Sequence, residues 1–330
     1  MTPASAGGAH TLRLGTRGGD LALWQAREVA RLVTGAHPDV TVEIIVIRTT
    51  GDRIIAAPLA RIGGSGVFTR EIEDALRTGT IDVAVHSLKD LPTRISAGLV
   101  IGAIPERADP RDALVAPPGT RLGSLPAGAR VGTSSPRRRA QMLACNPRVA
   151  ALDVRGNVPT RIAKLDRGDY DALILAHAGL SRLGLDARIA EIIDPEVIMP
   201  APGQGALAIE ARSGDEEVLG LIDALDHHPT RLATDAERAV LARLEAGCHA
   251  PVGALGTWDT DTIWLRAVVS APDGSRVIRA EWRGAVHQPS DARAAGVALA
   301  DALLDQGASA FVGNPRPDQG GRAATSHREP

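Results

Sequence analysis

Cysteine is nearly missing from this chain: two occur in 330 residues, Cys145 and Cys248. They stand far apart, with no CxxC and no Cys/His ligand spacing around them. That excludes a disulfide framework and a zinc site, and it fits a reducing cytoplasm. Aromatic residues make up 2% of the chain, against 44% for hydrophobic residues as a whole. The core must therefore be built from Leu, Val, Ile and Ala, and the stacking platforms of single-strand nucleic-acid binders are lacking. Lysine is scarce too, because the 37 basic residues include only Lys89 and Lys164 as lysines. Arginine is suited to forked binding of carboxylate or phosphate, so an anion site in this chain would be written in arginine. No run of about 18 apolar residues occurs, and the start, MTPASAGGAHTLRLG, has neither a basic n-region nor an apolar h-region. The expectation is a cytoplasmic protein that is neither exported nor membrane-spanning. A net charge of -2 excludes a surface that attracts nucleic acid all over, so any basic site must be local.

What is present is alternation. TLRLGT, LALWQAREVARLV, VTVEIIVIRT, TREIEDALRTG and IDVAVHS read as strand, helix, strand, helix, strand, the pattern of βαβ units in a largely parallel sheet. After the turn-rich ERADPRD a second series runs through ARVGTSS, PRRRAQMLA, VAALDV, PTRIAKLDRG and YDALILAHAG. From about residue 228 the style changes. A helix, TRLATDAERAVLARLEAG, precedes three expected antiparallel strands, VGALGTW, TIWLRAVVSAPDG and SRVIRAEWRG, with a hairpin at APDG. One further helix follows, and the Pro, Gly and polar residues from Asn314 onward predict a disordered tail, 314–330. The fold class expected is α/β, with two lobes facing a cleft and a smaller α+β third domain carrying a three-stranded antiparallel sheet. Ligands bind in such clefts at the carboxyl ends of the parallel strands.

Residues that follow strands are therefore the candidates. TRGGD places Arg17 at a strand end, with Asp20 set to cap the next helix. GTSSPRRR places Thr133 and Ser135 before Pro136 at a helix start, an anion site to which Arg137 and Arg138 add charge. RGNVPTR repeats the arrangement with Arg155 and Arg161. HSLKDLP brings Lys89 beside Asp90; the neighbouring carboxylate should keep that amine protonated, while Asp90 can accept N-H groups and stabilise a developing cation. PLARIGGSGVF is long and glycine-rich between a strand and a helix, as a lid would be. APGQGA lacks the glycine spacing of a dinucleotide site, and the adjacent His227 and His228 lack metal-ligand spacing. In LEAGCHAPVG, Gly247 reads as the residue that ends a helix just before Cys248. The negative helix end raises a nearby thiol's pKa, which suits a thiol used once for attachment better than a turnover nucleophile.

Taken in order, TRGGDLALWQA, GVFTREIEDAL, DVAVHSLKDLP, DPRDALV, VGTSSPRRR, RGNVPTR, YDALILAHAGLSRLG, PGQGALAIE and LEAGCHAPVG resemble the porphobilinogen deaminase (hydroxymethylbilane synthase) family from about residue 11 to about residue 310. The resemblance implies lobes like those of periplasmic binding proteins. Domain 1 would be 9–105 with 206–225, domain 2 106–205, and domain 3 226–313. It also implies a dipyrromethane cofactor, made by the enzyme from its own substrate and joined to Cys248 by a thioether. Asp90 would be catalytic. Arg17, Lys89, Thr133, Ser135, Arg137, Arg138, Arg155, Arg161 and Gln204 would hold the carboxylates of cofactor and porphobilinogen, and Arg61, Ser65 and Phe68 would belong to the lid. Metal, nucleic acid and membrane have no part in this expectation, and the family is monomeric. Two positions depart from the motifs: Gly19 stands where serine is common, and Arg61 and Ser65 stand where the lid commonly has lysines. The competing expectation is a cytoplasmic two-lobed sensor that binds a dicarboxylate without turnover.

Overall fold

Residues 10–48, 69–247 and 250–312 are described by the computed structural model of the chain. The alternating runs build two five-stranded sheets. In lobe 1 the elements are β1 His10–Arg17, α1 Asp20–Ala36, β2 Val40–Ile47, α2 Arg70–Arg77, β3 Val83–Ser87 and β4 Leu99–Ala103. Lobe 2 contains β5 Asp112–Val115, β6 Arg130–Gly132, α3 Pro136–Cys145, β7 Ala150–Leu152, α4 Val158–Asp166, β8 Ala172–Ala176, α5 His177–Arg182 and β9 Ile189–Ile192. The chain then returns to lobe 1 with β10 Leu207–Arg212 and α6 Glu216–Asp223. A third unit holds α7 His228–Arg243, β11 Val252–Asp259, β12 Thr262–Ser270, β13 Val277–Ala285, α8 Pro289–Asp305 and α9 Ser309–Val312.

The strand orders are β2-β1-β3-β10-β4 and β7-β6-β8-β5-β9. Neither sheet is as parallel as the βαβ pattern predicts. β10 runs antiparallel to both β3 and β4, and β5 runs antiparallel to both β8 and β9. Each is the strand that enters its sheet from the other lobe. Such a strand arrives without a crossover helix from a neighbour in its own sheet, so nothing compels it to run parallel. Central strands are buried on both faces, which is why they read as continuous apolar runs and not as alternation. In lobe 1, Val83, Val85 and Ile209 meet Val29 of α1 and Ile222 of α6 on one face, while Ala84 meets Ile72 and Leu76 of α2 on the other. The third unit is a β11-β12-β13 meander covered by α7 and α8, and its hairpin at APDG closes with Ala271 N to Arg276 O at 2.8 Å.

The two crossings between the lobes lie side by side and are stapled to the third unit. Gly205 has φ 89°, and a Cβ there would stand 2.4 Å from the Ala108 carbonyl oxygen of the other crossing, so only glycine allows the approach. Arg107 donates to Glu237 of α7 through Nη1 (2.6 Å) and Nη2 (3.1 Å), and to the Gln204 carbonyl through Nε (2.7 Å). Glu237 is fully buried and also accepts the amides of Gly203 (2.7 Å) and Gly256 (2.8 Å). A buried carboxylate that accepts from so many donors fixes the geometry of everything that meets there.

Helix α7 ends earlier than LEAG implies. Glu245, at φ 51°, takes the left-handed position; its amide bonds Ala242 O (3.1 Å) and the amide of Ala246 bonds Leu241 O (3.1 Å). That is a helix-ending motif built on Glu245 instead of Gly247. The helix thus ends earlier in the chain than Gly247 implies, which weakens the dipole argument about the thiol of Cys248.

Candidate active site

At the end of β3 the chain makes a 3-10 turn, Leu88–Asp90. Leu88 is fully buried and its amide donates to Ala206 O at 3.0 Å, which leaves Lys89 half-buried and Asp90 exposed. Ser87, just before the turn, accepts from Gln25 Nε2 of α1 at 2.8 Å.

Opposite, in lobe 2, Ser135 caps α3 by accepting from the Arg138 amide (3.4 Å), with Pro136 in the first turn as its motif predicts. Thr133 is buried and accepts the Ser135 amide at 3.3 Å. Residues 133–136 also line a cavity of about 460 Å³ with Pro272 and Asp273 of the third unit. The two arginines that follow turn inward. Asp112, the fully buried first residue of β5, accepts from Arg137 Nη1 (2.6 Å), Arg138 Nε (2.9 Å) and Gln204 Nε2 (2.9 Å), and forms an ion pair with Arg138 Nη2 at 2.8 Å. Arg137 Nη1 also donates to Met199 O (2.6 Å) and Arg138 Nη1 to Ile174 O (3.2 Å). The motif alone predicts forks aimed at a ligand. Here Arg138 spends all three nitrogens on protein groups, while Arg137, only 3% exposed, spends Nη1 and leaves its buried Nε without a hydrogen-bond partner among the described residues. Asp112 is the residue that sequence reasoning misses. Its one signal is an acidic residue opening the otherwise apolar strand DALV.

Gln204 joins the two lobes, since its Oε1 accepts from Lys89 Nζ at 3.2 Å and from Arg138 Nη2 at 3.3 Å. Burial, reinforced by the charge of Arg138, pushes the Lys89 ammonium down to about 8 although Asp90 and Asp112 pull it up. The acidic neighbour does not dominate, although an ammonium lowered to about 8 stays mostly protonated at neutral pH. A half-buried amine near guanidinia loses more from desolvation and repulsion than the nearby carboxylates restore. Arg161 is pushed down to about 10, first by burial and then by Arg138, against the pull of Asp90. Lys89 and Arg161 are thus both pushed down by Arg138 and pulled up by Asp90, while Arg137 and Arg138 share the single carboxylate of Asp112. Added carboxylates would relieve that repulsion, so the residues present fit a polycarboxylate cofactor and substrate.

The RGN loop is held from α4, where Lys164 Nζ donates to Arg155 O (3.1 Å) and Arg161 Nε to Gly156 O (2.7 Å). Arg155 is half-buried. So is Arg17, the last residue of β1. Gly19 has φ 110°, which favours glycine, and it precedes α1, so Asp20 is that helix's first residue and not its cap. Cys248 and the lid positions Arg61, Ser65 and Phe68 lie outside the described residues.

Asp112→Asn is expected to cost about 3 to 5 kcal/mol of stability, because two buried arginines lose their counter-charge. Urea unfolding at neutral pH measures it, and a loss below about 1 kcal/mol would show that the arginines find other partners. The Asp112 carboxyl is held far below the usual carboxylate range by Arg137 and Arg138, which overcome its desolvation. Its contribution is therefore present above the unfolded-state carboxylate pKa and lost as pH falls below it, so parent and variant converge in acid.

The family description "Porphobilinogen deaminase, dipyromethane cofactor binding domain" matches residues 12–220, and "Porphobilinogen deaminase, C-terminal domain" matches residues 232–305. A relative named porphobilinogen deaminase, from Roseiflexus sp. (strain RS-1), is 51% identical over 303 residues, covering 92% of this chain and 99% of that protein. Among solved structures, the chain is similar to the periplasmic aliphatic sulphonate binding protein SsuA from Escherichia coli, at 17% identity over 72% of this chain and 70% of that one, with TM-score 0.37. It is also similar to the VFT2 domain of Bordetella pertussis BvgS, at 13% identity over 65% of this chain and 86% of that one, with TM-score 0.39. With both family matches in register and a relative spanned almost end to end, the chain belongs to the porphobilinogen deaminase family.

Proposed function

We propose that the protein condenses four porphobilinogen molecules head to tail, with loss of ammonia, onto a dipyrromethane joined to Cys248, and then releases the linear tetrapyrrole hydroxymethylbilane by hydrolysis. The observation that carries this reading is the meeting of Lys89 and Arg138 on Gln204, with one buried carboxylate, Asp112, shared by Arg137 and Arg138 and the Asp90 carboxylate exposed beside Lys89. Porphobilinogen carries an acetate and a propionate, so each added unit brings two carboxylates to that cluster. Arg17, Arg155 and Arg161 hold them, with Lys89 and Arg138 presented by Gln204, and Arg137 contributes through its field and its grip on Asp112. The helix start at Thr133 and Ser135 adds amide donors.

Asp90 accepts the substrate pyrrole N-H. As the substrate's C-N bond breaks, the electron pair leaves with the nitrogen, which departs as ammonia, and the carboxylate stabilises the cation left behind. The dipyrromethane, when bound, supplies the pyrrole carbon nucleophile to which units are added. Asp90 then helps remove the proton displaced from the carbon that forms the new bond.

We assign the same division of the chain as the resemblance implies, with the cofactor presented by 226–313 to the cleft between the lobes. We also assign a cytoplasmic monomer; no described helix is long and apolar enough to cross a membrane. The test is the intact mass of protein purified from cells, together with porphobilinogen consumption. The expected mass exceeds that of the chain by two condensed pyrrole units, and porphobilinogen is consumed. The bare chain mass with no consumption would select the dicarboxylate sensor.

A further inference from the structure

Asp90 is anchored on its N-terminal side by lobe 1 itself, through buried Leu88, its bond to Ala206 O, and the closing bond from the Leu91 amide to Leu88 O at 3.2 Å. On the C-terminal side the chain leaves as Leu91-Pro92, and proline has no N-H with which to tie the turn down. The two carbonyls there are held instead by one side chain of the third unit. Arg238 of α7 donates through Nη1 to Leu91 O (3.3 Å) and through Nη2 to Pro92 O (2.6 Å). A guanidinium can span two successive carbonyls, whereas an ammonium is a point donor.

This is costly placement for a cation. Burial pushes the Arg238 guanidinium below its ordinary value, and only Asp235, itself 3.4 Å from Arg293, offsets it. Both of its described hydrogen bonds go to backbone oxygens of another unit. The preceding residue is Glu237, which fixes the crossings through Arg107 and Gly203, and α7 runs on toward Cys248. One turn of one helix therefore grips both the crossings and the chain beside Asp90.

We propose that Arg238 is a positioning residue for the condensation: its fork on the Leu91 and Pro92 carbonyls sets where Asp90 stands in the cleft relative to the helix that leads to the attachment cysteine. This rests on the reading of Asp90 as the catalytic group. A displacement of about 1 Å in a reacting constellation can cost on the order of 100-fold in rate.

The experiment compares Arg238→Met and Arg238→Lys with the parent in full-length protein, counting only cofactor-loaded molecules by intact mass. It follows single-turnover ammonia release and steady-state kcat and KM for porphobilinogen. Arg238→Met is expected to lower the rate by about 10 to 100-fold with KM changed by less than about threefold, and Arg238→Lys by about 3 to 10-fold, since one of two bonds survives. Arg243→Ala, which removes a surface pair with Asp301 (2.7 Å) from the same helix, leaves the rate unchanged. Parent rates in loaded Arg238 variants, with or without a fall in melting temperature, would reduce Arg238 to a docking contact and overturn the proposal. Should the methionine variant not fold, the lysine variant decides alone, and a parent rate there overturns it equally. Asp90→Asn is run alongside. If it turns over normally, the reading of Asp90 fails, whereas an inactive Asp90→Asn beside fully active Arg238 variants sinks only the positioning role.

Discussion

Cys248→Ser is expected to yield a folded protein of bare chain mass with essentially no porphobilinogen consumption, while Cys145→Ser keeps both the added mass and the activity. The two thiols differ in what surrounds them. Cys145 ends α3 on the outside of lobe 2, where desolvation and then the charge of Glu191 push its thiol up, so little thiolate forms there. Cys248 follows α7 in the chain, the helix that Glu237 and Arg238 lock to the crossings between the lobes and to the segment after Asp90. Serine is nearly isosteric but far less nucleophilic than a thiolate, so folding should survive and attachment should not. Mass spectrometry of both variants decides it. Retained added mass in Cys248→Ser, lost in Cys145→Ser, would reverse the assignment.

Asp90→Asn comes next in expected effect. The substitution preserves size and one hydrogen-bond acceptor but removes the negative charge beside the developing cation and any capacity to take a proton. General acid-base help is typically worth about 10² to 10⁴-fold, and lost electrostatic stabilisation adds to it. Removing the carboxylate also takes from Lys89 and Arg161 the pull of Asp90, which opposes their repulsion by Arg138. Substrate carboxylates should then bind at least as well as in the parent, and the loss should appear in kcat and not in KM. The measurement is single-turnover ammonia release by cofactor-loaded protein. Release within about tenfold of the parent rate would make Asp90 a positioning group.

Much of the fold is legible in individual motifs. Ser135-Pro136 announces a capped helix start because those residues satisfy or forgo specific amide donors within a few positions of themselves, and the helix begins there. The APDG hairpin and its flanking strands are equally local, and β12 and β13 pair across it. Less local features mislead. Gly247 looks like a helix-ending residue, yet Glu245 takes the left-handed position and the amides of Glu245 and Ala246 close onto the last carbonyls of α7. The strand series reads as parallel, yet β5 and β10 invert because each enters its sheet from the other lobe.

The building material and the inventory are written along the chain: an aliphatic core, two α/β series and an antiparallel third, arginines in place of lysines at strand ends, and one cysteine in a loop after a helix. These follow from composition and from periods of two to four residues, the range over which a chain can state a preference. How the inventory is used is settled by packing alone. Arg137 meets Asp112 from 25 residues away, Gln204 meets it from 92, and Arg238 reaches the Leu91 carbonyl from 147. Whether Lys89 is an ordinary ammonium or one lowered to about 8 depends on how much water it loses and which guanidinium stands over it. Desolvation and Coulomb energy are functions of distance in space, and distance in space comes from packing, which no neighbour in the sequence records.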